Sequence, residues 1–137
     1  MSPVYRAPMR SRRDNTYAVE RALRIGVCGM GEAGDERAER RLERFAAVRK
    51  GSFVWTRDAD ENTYVGRVTG PWRHDPDGAA VDLVNVRDTD WVVEPVDPAL
   101  VPAAVAQTFA RGGRNFQQIH PGNVEAETVD LWEKLSQ

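Results

Sequence analysis

Hydrophobic positions recur at helical spacing near the start of the chain, alternate in the middle, and return to helical spacing at the end. Tyr17, Val19 and Leu23 follow Asp14 and Asn15, either of which can cap, and predict a helix over 14–23. The apolar run Ile25-Gly26-Val27-Cys28 predicts a short strand, and Gly29-Met30-Gly31-Glu32-Ala33-Gly34 a glycine-rich turn. Residues 35–50 carry the clearest helix, with Ala38, Leu42, Phe45 and Val48 on one side. Charges pair four residues apart on the other side, as in Glu36 with Arg40. Asp35 and Glu36 open this helix and Arg49 and Lys50 close it, as the helix dipole favours, and Gly51 is expected to end it.

The period then changes. Phe53–Trp55, Tyr64–Val68, Val81–Val86 and Trp91–Val93 predict four short strands. Asp58–Asn62, Gly70-Pro71, Asp75–Gly78 and Asp88–Asp90 have the composition of the turns between them. A meander of short strands with glycines inside them is expected to curl toward a barrel. Pro102–Phe109 predicts a short helix stopped by Gly112-Gly113, and Phe116–Ile119 a closing strand. A last helix from Asn123 carries Val124, Thr128, Leu131, Trp132 and Leu135 on one side. The expected architecture is one α+β domain over 14–137. It is a small curved antiparallel sheet, or partly closed barrel, with flanking helices, and a flexible basic arm over 1–13 precedes it.

Composition narrows the function. The apolar (41 %) and charged (29 %) fractions are those of an ordinary globular chain. No run approaches the length of a membrane span and no secretory h-region follows the first arginines, so no membrane partner is expected. The single cysteine, Cys28, excludes an intrachain disulfide and points to a reducing, cytoplasmic setting, where it reads as a small buried hydrophobe. The net charge of −2 becomes −6 once Arg6, Arg10, Arg12 and Arg13 of the arm are set aside. A basic arm before an acidic body is a form that touches phosphate backbones.

Catalytic signals are weak. Gly29–Gly34 is a literal G-x-G-x-x-G with Asp58 some way downstream, the pattern of a dinucleotide fingerprint. Against it stand Asp35 and Glu36, which would repel a pyrophosphate, and the meander that follows in place of further βα units. His74 and His120 are the only histidines, without a Cys pair, and His74 with Asp75 and Asp77 reads as a polar loop, so no metal or other cofactor is expected. No nucleophile motif is present, and the chain reads as a non-enzyme. Four tryptophans are many for this length. Trp91 and Trp132 lie in apolar periodic runs and read as core, whereas Trp55 and Trp72 lie at a strand end and a loop beside arginines. Arg57, Arg67, Arg73, Arg111 and Arg114 interleave with these rings, and stacking faces beside cations are what a nucleic-acid pocket needs.

The order of these pieces resembles the PUA-like domains of the EVE type found at the N-termini of modification-dependent restriction enzymes. The matching segments are Ile25–Met30, Lys50–Trp55, Tyr64–His74 and Val84–Arg87 leading to Trp91, within residues 18–119. Met30 stands where that family usually has tryptophan, and Ser52 where Asp is common. The resemblance implies a non-catalytic reader of a nucleobase, a modified one flipped from its stack, in a phage-defence or phage-encoded setting. DNA is the favoured partner over RNA, with a partner protein supplying any effector activity. The expected base-binding residues are Met30, Trp55, Arg57, Trp72, Arg73, His74, Arg111 and Arg114. The competing readings are a protein-interaction adaptor or inhibitor and, more remotely, a nucleotide-binding enzyme.

Overall fold

The computed structural model describes residues 2–9, 17–112, 116–120 and 122–136. Its elements, in chain order, are β1 (Val4–Arg6), α1 (Tyr17–Ile25), β2 (Val27–Met30), α2 (Glu36–Ala46), β3 (Phe53–Arg57), β4 (Thr63–His74), β5 (Asn85–Trp91), α3 (Ala103–Arg111), β6 (Gln117–Gln118) and α4 (Val124–Leu135). Short 3-10 turns at Pro76–Val81 and Pro98–Leu100 precede β5 and α3. The strands form one curved sheet in the order β2-β5-β4-β3-β1-β6, which is α+β as expected but is not closed into a barrel.

Several sequence expectations change here. Val4–Arg6 is no flexible arm: it pairs in parallel with β3 and antiparallel with β6, inside the sheet. Val4, Arg6, Ala7 and Met9 are buried, because this segment closes the gap between β3 and β6. Residues 10–13, the rest of the expected arm, lie outside the described residues. Gly70-Pro71 is a bulge within the long β4, marked by the register shift between Val68 and Trp72, and is not a turn. Asp88-Thr89-Asp90 likewise lies inside β5, where Asp88 and Asp90 are exposed while Thr89 and Trp91 are buried. That alternation is a strand's period of two, which polar composition masks. Val81–Val86, expected as a strand, is instead the end of a 3-10 turn followed by the start of β5.

Alternation along β3 divides the core. Val54 packs with Ala18, Val19 and Ala22 of α1, Phe45 of α2, and Val27 and Cys28 of β2. Phe53 and Trp55 pack the other way, with Val105 of α3 and Val124, Leu131 and Trp132 of α4. Trp91 and Trp132 are core residues, as their periodic runs indicate. Cys28 is sealed, and burial pushes its thiol up to about 12, with Thr89 and Arg87 acting weakly the other way. Among the described residues no helix is long and apolar enough to cross a membrane.

Two arginines on strands plug helix ends. Arg87 of β5, 3 % exposed, donates from Nη1 to the carbonyls of Phe45 (3.0 Å), Ala46 (3.3 Å) and Val48 (2.7 Å), and from Nε to Gly70 O (2.7 Å). It satisfies the orphan carbonyls of α2, so the helix ends at Ala46 and not at Gly51 as expected. Burial pulls its guanidinium below the ordinary arginine value, and Cys28 partly offsets this. Arg6 does the same for α3, donating to Thr108 O (2.7 Å) and Gly112 O (2.6 Å).

The loop between β3 and β4 is organised by Asp58. Its carboxylate accepts from the Asn62 and Asp60 amides (2.9 and 3.0 Å), Asn62 Nδ2 (3.1 Å) and the Tyr64 hydroxyl (2.9 Å). Burial acts to raise its pKa, but these bonds outweigh it and hold the carboxyl below its ordinary value. Tyr64 is pushed up to about 12 by burial and then by the Asp58 hydrogen bond and the charges of Asp58 and Asp60.

Replacing Arg87 with Met should cost about 3 kcal/mol in urea unfolding, since it strands buried carbonyls on α2 and Gly70. The Asp58–Tyr64 pair should shape both ends of the pH–stability curve. Asp58, depressed on folding, contributes fully above its unfolded value of roughly 4 and loses that contribution as pH falls through the lower folded value. Tyr64, raised on folding, contributes fully below its ordinary 10.0 and loses that contribution as pH climbs toward about 12. Urea midpoints of Asp58→Asn measured across pH should be flatter than wild type in both windows, and an unchanged profile would remove the pair's role.

Candidate functional site

The C-terminal ends of β2 and β4 meet the start of β5. In register, Met30 lies opposite Asn85, which lies opposite His74 on its other side, so three strands contribute one rung. Trp72 and Cys28 flank Arg87 on the rung two residues away, and so project to the same side of the sheet. This places an exposed indole, a thioether and an imidazole around one buried amide.

Hydrogen bonds fix the arrangement. Trp72, 44 % exposed, donates from Nε1 to Asn85 Oδ1 at 3.0 Å. Asn85, itself buried, donates from Nδ2 to Gly31 O at 2.9 Å, tying the indole edge to the backbone beyond β2. His74 Nε2 lies 2.8 Å from Glu32 Oε1, a second tie between the β4 and β2 ends. Gly31 leaves little room, since a Cβ there would meet Asp82 Cβ and O at 3.2 Å. The indole is therefore held by its edge while nearly half of the residue stays open to solvent, which leaves apolar ring surface for stacking.

The structure does not gather all eight expected residues. Met30, Trp72 and His74 come together, with Met30 8 % exposed. Arg73 is adjacent in sequence but projects to the other side of β4, where it pairs with Asp88 at 3.1 Å. Trp55 is a correction: it is 0 % exposed, in the core against α4, where its Nε1 reaches Thr128 Oγ1 at 3.3 Å. A ring on the third position of a central strand, two residues from Phe53, faces the core by the same alternation that buries Phe53. Arg57 pairs opposite Thr63 at the far end of β4, roughly 30 Å from Trp72 along an extended strand. Arg111 ends α3 elsewhere on the surface, and Arg114 lies outside the described residues.

Asn85 is the site residue that motif and composition do not single out. Its signal in the sequence is a lone amide between Val84 and Val86, since a polar side chain inside an apolar run must find partners when buried. The dinucleotide reading meets a concrete obstacle: Asp35 already caps α2, accepting from Ala38 N at 2.8 Å, so a carboxylate holds the helix terminus that a pyrophosphate would need. Asp58, the would-be ribose acid, is engaged in its own turn. Asp75 of the polar loop pairs with Arg21 at 3.1 Å and not with His74. Among the described residues no group of three or more His, Cys, Asp or Glu is placed to hold a metal ion.

No protein-family model matches the chain, and no curated protein matches it. Among solved structures, the fold is similar to the YTH domain of the Zygosaccharomyces rouxii MRB1 protein in complex with N6-methyladenosine RNA. The TM-score is 0.54 at 14 % identity, over 96 % of this chain and 87 % of that one. The likeness is one of fold. It links the chain to a YTH domain, where the sequence resemblance points to EVE-type domains.

Trp72 is the one tryptophan open to solvent, so acrylamide should quench a single emitting component, and Trp72→Phe should abolish that component. An unchanged quenching curve in the variant would show that the ring is not presented as described.

Proposed function

We propose that this chain is a non-catalytic nucleic-acid-binding domain that stacks a modified base on Trp72 at the β2–β5–β4 rim. What carries the reading is the hydrogen-bonded indole: its edge is anchored through Asn85 to Gly31 O while the residue stays 44 % exposed. Such a ring has little flexibility left to lose on binding, and a base has a π-face for it to meet. Met30, 8 % exposed on the rung next to that of Trp72 and across β5 from it, adds a polarisable thioether to the same rim. The fold it shares with a domain solved on N6-methyladenosine RNA supports the same reading, and makes RNA rather than DNA the first partner to test.

Within this proposal the base-contacting set is Met30, Trp72 and His74, with Asn85 positioning the indole. Trp55 has no place in it. Arg73, engaged with Asp88 on the other side of the strand, is a weak candidate for direct base contact. A reader of this kind does no chemistry on the base, so a partner protein would carry any effector step, in a phage-defence setting or another.

The test is fluorescence anisotropy with short single-stranded RNA and DNA, each with and without N6-methyladenine. Wild type should favour the methylated strand. Trp72→Ala should weaken its binding by about ten- to a hundredfold, as expected for loss of one base–aromatic stack, and should erase the preference. Equal binding of methylated and unmethylated strands by wild type would end this reading.

A further inference from the structure

Away from the Trp72 rim, positive charge concentrates along α2. At about 100° per residue, Arg37, Arg40, Arg41 and Arg44 fall within roughly one quarter to one third of the helix circumference. Glu36, Glu39 and Glu43 occupy a neighbouring arc, and the third arc, with Ala38, Leu42 and Phe45, packs on the core. The helix thus has three longitudinal stripes: apolar, acidic and basic.

The basic stripe forms one wall of an open groove of about 950 Å³. Arg111, from the end of α3, joins the four α2 arginines there. The β6 strand contributes Gln117 and Gln118, both exposed, at the edge of the sheet. Tyr5, half-buried, supplies aromatic surface, and beneath it the floor includes Phe116, buried with its ring 4.3 Å from that of Phe45. Among the described residues, none that lines the groove is Asp or Glu, although the chain as a whole is net negative. Among the described residues none of the five arginines makes an ion pair, even with acids of the same helix within reach in sequence.

Five cations around one concavity, with no ion pair among the described residues, repel one another and attract a polyanion. The α2 dipole does not assist an anion here, because Asp35 caps its N-terminus, so the attraction comes from the side chains. We infer that this groove binds the sugar–phosphate backbone of a single-stranded nucleic acid. Guanidinium groups take phosphates in bidentate fashion. The amides of Gln117 and Gln118 and the ring of Tyr5 beside them match base edges and base faces that are exposed together only in a single strand. This site is distinct from the Trp72 rim and stands without it: the rim would select a base, the groove would hold the chain.

The experiment measures the affinity of a labelled single-stranded RNA, methylated or not, for wild type and for the triple variant Arg37→Gln, Arg41→Gln, Arg44→Gln. Glutamine keeps helix propensity, and a matching thermal unfolding midpoint verifies the fold. The variant should lose at least about tenfold in affinity for both RNAs alike. Its slope of log affinity against log salt should be shallower by about 2, at roughly 0.7 for each phosphate no longer neutralised. The corresponding triple lysine variant should keep most of the affinity, which marks charge as the requirement. If wild type ignores methylation while the arginine effect persists, the groove stands and the base reading falls. Wild-type affinity in the folded glutamine variant overturns the inference. So does a polyglutamate peptide that displaces the RNA and itself depends on the same arginines, since that outcome assigns the groove to an acidic protein.

Discussion

A buried cation that has no carboxylate partner among the described residues, Arg87, joins the sheet to a helix end. The Arg87 guanidinium lies under the C-terminal turn of α2, where helix carbonyls supply the negative ends of dipoles in place of a counter-ion. The same side chain grips Gly70 O, at the bulge that redirects β4. One residue thus locks a helix to two strands: it fixes where α2 stops, and it holds the bulge immediately before Trp72. Arg6 repeats the device at α3 from a strand near the start of the chain. The helices are oriented by strands through their ends as well as through their apolar faces.

Much of the fold is legible in the sequence. Three of the four helices begin within two residues of where periodicity and capping signals set them, because each must bury an apolar stripe, and for α2 the Asp35 cap marks the start as well. The strands are legible as a class but not in extent. Polar Asp88-Thr89-Asp90 and the Gly70-Pro71 pair read locally as turns, yet both are absorbed into long strands because their neighbours across β4 and β5 supply the ladder. Val4–Arg6 is illegible for the same reason: three residues have no period to read, and only the distant β3 and β6 make them a strand.

The site is legible in part. Gly29-Met30 of β2 and the Trp72 segment of β4 lie on either side of β5, which pairs with both. Trp55 misleads because its neighbours Thr56 and Arg57 suggest a strand end, whereas pairing with β4 continues through Arg57 and keeps the ring in the interior. The arginines of α2 are visible as charges but read as partners for the helix's own acids. Their segregation into a separate stripe appears only when residues three, four and seven apart are compared by sign.

The placement of β1 has a consequence for how the molecule comes into being. This strand is synthesised before both of its partners, and Tyr5 must pair with Val54 on one side and with Gln118 on the other. Contacts of such long sequence separation are entropically late and give slow-folding topologies. On the ribosome β1 therefore cannot complete its pairing until β6 has emerged. The wall formed by β6 is completed in that same late step, so a nascent or truncated chain would carry the arginines of α2 without the groove they line.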